Sequence, residues 1–325
     1  MNITYDIEAD WVLLRSCNFR CAYCAIPPEE LGGRITVFGN VAQWSKAFDS
    51  TGKSWLLHMT GGEPSAYPGF VDLCEQLARN HYLSVNTNLT TACWEQFRER
   101  VDPARVHYIN AALHYDERQR KHSLECFVEC AHRLAADGFN VLVSAVMTPE
   151  VTKIFSDVEL LLEPHGLAII PKVMRGLYAG KLYPDAYTAN ERCEIRDHLR
   201  EARSKYTPVI ARMSEPPTIN VFADERFLER IPDYRGKLCA SGSRFVQIEP
   251  NGDIIRCGSA ERLGNILRND VRLFSFPRRC NTSYCPYFCE KYTAPPFVPL
   301  QNHLGNRLIN TVSRFRRRVA RDHLF

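Results

Sequence analysis

The sequence predicts an α/β fold, a mostly parallel sheet covered by helices, from three observations. Six apolar, β-rich runs recur between Trp11 and Val173, segments of helical period separate them, and 325 residues suffice for one large or two ordinary domains. The composition, 45% hydrophobic and 24% charged, excludes disorder, collagen-like repeats and coiled coil. Six β/α units are too few for a closed eight-fold barrel. The pattern therefore leaves a partial barrel or an open doubly wound sheet, and either places chemistry at the carboxyl ends of the strands.

The strands are read in order at Trp11–Leu14, Trp55–Met59, Leu83–Asn86, Val106–Ala112, Val141–Val146 and Leu167–Val173. Each is a near-continuous apolar run, as a parallel strand buried on both faces requires. Cys126–Ala136 has helical period and represents the intervening segments. Near Arg203 the composition changes, because Pro208, Pro216, Pro217 and Pro232 interrupt any helix. From Lys237 to Tyr292 short strands and turns are expected, with Asn251-Gly252 as a hairpin signal. This stretch is read as a small second domain built around a metal centre.

No apolar run approaches the ~20 residues of a membrane-spanning helix. Met1 to Asp10 carries acids and has no basic, apolar character, so no secretory or transit signal is read and a cytoplasmic location is expected. The net charge of +4 is unevenly placed: His303 to Phe325 holds six arginines and one aspartate, leaving the rest at −1. Leu304, Leu308, Val312, Phe315 and Val319 lie at helical spacing there, so residues 299–325 read as a basic amphipathic helix. It either packs its apolar stripe on the barrel or touches a membrane surface. A neutral body gives no support to nucleic-acid binding.

Thirteen cysteines, an odd number in a large chain, favour metal or redox chemistry over disulfides. Cys17, Cys21 and Cys24 follow the first strand within eight residues. Three thiols in one loop can converge on one metal centre and would leave one iron of a four-iron cluster open, whereas structural zinc wants a fourth ligand nearby. Met59-Thr60-Gly61-Gly62-Glu63-Pro64 closes the second strand and Asn86-Thr87-Asn88 the third. Cys239, Cys257, Cys280, Cys285 and Cys289 form a later group. Cys74, Cys93, Cys126, Cys130 and Cys193 read as core or incidental thiols.

The first cysteine spacing, with Tyr23 before the last thiol, resembles the signature of the radical S-adenosylmethionine (SAM) superfamily, and Gly61-Gly62-Glu63-Pro64 resembles its GGEP motif. The resemblance implies a partial (β/α)6 TIM-type barrel over residues 1–205. It further implies a [4Fe-4S] cluster on Cys17, Cys21 and Cys24 with SAM at the open iron. Tyr23, Gly61, Gly62, Glu63 and Pro64 would serve that cofactor, with Glu63 accepting from the ammonium of SAM. Asn86, Asn88, Ser144, Lys172 and Arg175 would supply further contacts.

The later group resembles the opening half of the SPASM/twitch extension, here over residues 206–298, and Leu263-Gly264-Asn265 resembles a segment common in it. The full pattern carries seven cysteines and two clusters. Five thiols imply one auxiliary [4Fe-4S] cluster on Cys239, Cys257 and two of Cys280, Cys285 and Cys289. The spare thiol is structural or a hydrogen donor, with Cys280 the catalytic candidate. His114, after the fourth strand, is a candidate acid or base.

The implied reaction is reductive cleavage of SAM to a 5'-deoxyadenosyl radical, fed by an external donor such as flavodoxin or ferredoxin. That radical takes hydrogen from a small molecule of sugar, aminocyclitol or nucleoside type, for oxidation or epimerisation. About ten residues precede the first strand, with no separate peptide-recognition domain in the chain, which favours the small molecule over a peptide or protein side chain. A non-catalytic metal-binding or redox-sensing protein is the reading from another class.

Overall fold

The computed structural model describes residues 3–212, 224–229, 233–257 and 260–282. Cys285, Cys289 and the expected helix over 299–325 lie outside the described residues. Six parallel strands, β1 (Ile7–Leu14), β2 (Trp55–Gly61), β3 (Tyr82–Thr87), β4 (Val106–Ala112), β5 (Val141–Val146) and β6 (Ile169–Lys172), pair in their chain order. Between them run α1 (Pro28–Leu31), α2 (Val41–Asp49), α3 (Phe70–Ala78), α4 (Trp94–Arg100), α5 (Tyr115–Arg120), α6 (Leu124–Ala136) and α7 (Pro149–Leu162). Strand order that never reverses, with the right-handed crossovers that parallel strands take, puts the connecting helices on one face. A doubly wound sheet needs a reversal, so this order selects the partial barrel.

Alternation along β1 explains both faces. Ala9, Trp11 and Leu13 are buried toward the helices, with Trp11 packing 4.7 Å from Trp44 and 5.1 Å from Phe48 of α2. Glu8 and Asp10 point to the concave face and are also buried. These acids hid the first four residues of the strand, which begins at Ile7 rather than Trp11. Glu8 Oε1 lies 2.5 Å from His58 Nε2 on β2, and His58 Nδ1 meets Ser84 Oγ on β3, so the carboxylate is satisfied inside the sheet.

After β6 come a hairpin of β7 (Gly176–Tyr178) and β8 (Lys181–Tyr183) and then α8 (Ala189–Arg212). Pro208 lies inside α8, contrary to the expectation that it ends any helix there. A proline in the last turn deletes one backbone bond, while Ala202 and Tyr206 hold the helix by packing on Tyr108, Leu142 and Ile170 of the concave face. The short α9 (Asp224–Glu229) follows.

The remaining strands are β9 (Leu238–Cys239), β10 (Phe245–Ile248), β11 (Asp253–Ile255), β12 (Arg262–Asn265), β13 (Asp270–Val271) and β14 (Arg278–Arg279). β10 pairs in parallel with the outer edge of β1, and β11 to β13 continue as an antiparallel meander, giving ten strands in one sheet. Gly252 turns β10 into β11 at φ +84°, as the Asn251-Gly252 signal predicts. β14 pairs with β9. Among the described residues no helix is long and apolar enough to cross a membrane.

Candidate active site

The loop leaving β1 carries Cys17 and Cys21, half-buried, and Cys24, exposed; the cysteines of the described residues form no disulfide. Phe19 N donates to Cys17 Sγ at 3.3 Å and Asn88 Nδ2 approaches the same sulfur at 3.8 Å. Burial raises the Cys17 thiol above its usual range and pushes Cys21 to about 12. Three thiols on one loop, two of them half-buried, are a donor set that fits a metal centre.

His114 faces this loop. It begins α5 in the left-handed region at φ +50°, and its Nδ1 lies 2.9 Å from Tyr23 Oη and 3.4 Å from Cys21 Sγ. Loss of hydration, ahead of the Arg118 charge, lowers its pKa to about 4, so the imidazole is neutral near pH 7. Tyr23 and His114, expected as separate contacts, are one hydrogen-bonded pair against Cys21.

The end of β2 is fastened to the same loop. Gly62 N donates to Leu14 O at 2.8 Å and Glu63 N to Ser16 O at 2.9 Å. A Cβ on Gly61 or Gly62 would stand 2.0 Å from Leu14 O or Ser16 O, so the glycines permit contact between two backbones. Pro64 opens a single 3-10 turn capped by Glu63. The buried Glu63 carboxylate accepts from Ser65 N at 3.1 Å, Ser65 Oγ at 2.5 Å, Thr87 Oγ1 at 2.6 Å and Asn88 N at 2.6 Å. Burial raises its pKa although these donors pull it down. Glu63 thus ties the carboxyl ends of β2 and β3 together.

A polar ladder crosses the concave face at this level. Asn86 Nδ2 lies 3.5 Å from Thr60 Oγ1, Asn110 Nδ2 donates to Asn86 Oδ1 at 2.7 Å, and Ser144 Oγ donates to Asn110 Oδ1 at 2.9 Å. The predicted Asn86 and Ser144 are joined through Asn110, which sequence reasoning missed. Its signal was an amide inside the apolar run Val106–Ala112. Lys172 pairs in register with Val146 on β5, and Arg175 stacks 4.1 Å over Phe227 of α9. Also missed were the buried Asp10 and Arg118, for which no local pattern gave a signal.

Cys239, Cys257 and Cys280 come together around Tyr234 and Phe245. Pairing of β9 with β14 places Arg278 opposite Cys239, and Arg256 beside Cys257 donates to the carbonyls of Ser241, Arg278 and Arg279.

Residues 11–161 match the family described as the Radical SAM superfamily. The matched segment runs from β1 into α7 and covers a little under half of the chain. Streptococcus suis SuiB bound to S-adenosylmethionine is similar in structure, with a TM-score of 0.53 at 14% identity, covering 79% of this chain and 61% of that one. The chain thus spans less than two thirds of SuiB. SuiB bound to its precursor peptide SuiA has a TM-score of 0.52 at 14% identity over 83% of this chain and 64% of that one. anSMEcpe with bound AdoMet and Cp18Cys peptide has a TM-score of 0.52 at 14% identity over 80% and 77%. At these identities the likeness is one of fold. No curated protein matches the chain.

Proposed function

We propose that the chain is a radical SAM enzyme whose cluster is held by Cys17, Cys21 and Cys24 and whose substrate is a polar small molecule. The observation that carries this reading is the joining of the cysteine loop to the Gly61–Pro64 turn directly above the polar ladder. When bound, the cluster and SAM supply one-electron cleavage of the sulfonium and a hydrogen-abstracting radical. The chain's own residues orient and enclose. Phe19 N and Asn88 Nδ2 support the Cys17 sulfur, as hydrogen bonds around ligating sulfurs do. Glu63 keeps the β2 and β3 ends in register, and the Tyr23–His114 pair fixes the loop around Cys21.

The ladder of hydroxyls and amides suits the many short polar groups of SAM and of a sugar, aminocyclitol or nucleoside-type substrate, and Lys172 and Arg175 are the cations proposed to meet anionic groups. Oxidation or epimerisation is the proposed outcome. The second reading, a peptide or protein side chain, draws support from the peptide-bound SuiB and anSMEcpe structures. Cys239 and Cys257, with two of Cys280, Cys285 and Cys289, are proposed to hold an auxiliary [4Fe-4S] cluster. Electrons would come from a flavodoxin or ferredoxin in the cytoplasm.

Anaerobic reconstitution with iron and sulfide counting, followed by assay of 5'-deoxyadenosine, tests this. About eight irons and SAM cleavage are expected. Cys21→Ala abolishes cleavage, and Cys257→Ala loses only the auxiliary iron. Zinc alone, or no 5'-deoxyadenosine after verified loading and reduction, would overturn the reading.

A further inference from the structure

Arg118 of α5 is 1% exposed. Its Nε donates to Leu113 O at 3.1 Å and its Nη2 to Asn88 O, and its plane lies 5.0 Å from the Phe19 ring and 4.6 Å from the Phe127 ring. Phe19 stands between Cys17 and Cys21, so the guanidinium packs against a ring carried by the cysteine loop. Among the described residues no carboxylate forms a salt bridge with it. The Asn88 peptide links it to Glu63, since Asn88 N donates to Glu63 Oε2.

A guanidinium stays charged even when burial lowers its pKa, here to about 10. Burying that charge without an ion-pair partner is unfavourable, and an anion close by would offset the cost. The Arg118 charge interacts first with the Glu63 carboxylate, then with Cys130 and Cys126, and also with Cys21 of the loop, where a reduced cluster would add negative charge. A second cation faces the same ring: Lys121 Nζ is 5.6 Å from Phe19 and donates to Asn18 O at 3.1 Å.

We propose that Arg118 is a positioning residue for the loop of Cys17, Cys21 and Cys24, and that its buried charge favours the reduced state of the cluster held there. The inference rests on the proposed function. One-electron reduction adds one negative charge to the cluster, and a fixed positive charge nearby stabilises that state over the oxidised one. A purely structural arginine would hold Asn88 and Leu113 equally well in both states and leave the potential unmoved.

The test compares full-length wild type, Arg118→Met and Arg118→Lys after anaerobic reconstitution. The midpoint of the SAM-perturbed paramagnetic signal is followed with iron content. Arg118→Met is expected to shift the reduction equilibrium at least about tenfold toward the oxidised form, ~59 mV more negative for one electron. Arg118→Lys, which keeps the charge, is expected to stay within about threefold of wild type, ~28 mV on the same scale. Should Arg118→Met fail to fold, Arg118→Gln keeps a donor for the carbonyls and carries the same expectation. An iron-loaded Met or Gln variant at the wild-type potential overturns the role of Arg118 alone, as does a Lys variant displaced as far as they are. Wild type that assembles no SAM-responsive cluster overturns the underlying function and this role together.

Discussion

Asp10 is 4% exposed on the concave face of β1, and its Oδ1 has no hydrogen-bond partner. Burial, and then the charge of Glu249 on the turn after β10, raises its pKa from 3.8 to about 8. Between those values the folded chain keeps a proton that the unfolded chain has released, so stability falls as pH rises through the window. Asp10→Asn is expected to melt above wild type at about pH 8.5, by at least ~1.4 kcal/mol, the worth of one pKa unit. The gap should close below about pH 4, where both states hold the proton. Melts at the two pH values check this, and equal melts at the higher one would mean that Asp10 ionises in place without penalty. Single residues divide in how far the sequence reveals them. Cys17, Cys21, Cys24 and Gly61 to Pro64 stand in short contiguous runs that point to the chemistry proposed for them. Asp10, Asn110 and Arg118 acquire theirs from strand register and from packing against residues distant in the chain.

α8 shows the same division among elements. Its sequence ends at the first proline if only local rules are applied, yet the helix runs to Arg212 because Tyr206 anchors it to the sheet. Tyr206 Oη accepts from Val143 N at 3.0 Å and donates to Ala168 O, bridging the approach to β6 and the middle of β5. Tyr206→Phe removes only that oxygen, leaving a buried N–H and a carbonyl without their partner. It is expected to cost roughly 1–3 kcal/mol in urea unfolding. A loss below a few tenths would mean that packing alone fastens α8. The six barrel strands were legible because burial on both faces makes each of them largely apolar. The start of β1 was not, because a Glu8–His58–Ser84 chain can satisfy a carboxylate inside a sheet. The strands from β9 to β14 are two to four residues long and leave little periodicity to read beyond their turns.

The whole molecule turns on the edge of β1. The composition change near Arg203 marks the start of the small second domain expected from the sequence, and β10 beyond it lies on β1 in four register pairs, from Glu8↔Phe245 to Trp11↔Ile248. Val246 and Ile248 are fully buried in the main core, Glu8 N donates to Arg244 O at 2.9 Å, and Arg15 beyond β1 pairs with Glu249 at 2.7 Å. The strand that delivers Cys17 to the site is therefore central, flanked by β2 on one side and β10 on the other. Removing β10 would expose the unpaired backbone of β1 together with the apolar side chains that Val246 and Ile248 cover, which makes an aggregation-prone edge. A chain ended after Arg212 is expected to collect in the insoluble fraction, and any soluble part to bind a hydrophobic dye and melt without a cooperative transition. Iron retention by that soluble part should fall with it, because the loop after β1 loses the strand that fixes its base. A truncated chain that stays soluble, melts cooperatively and loads a full SAM-responsive cluster would instead establish the segment up to Arg212 as a domain that folds alone, with β10 to β13 as an appended meander.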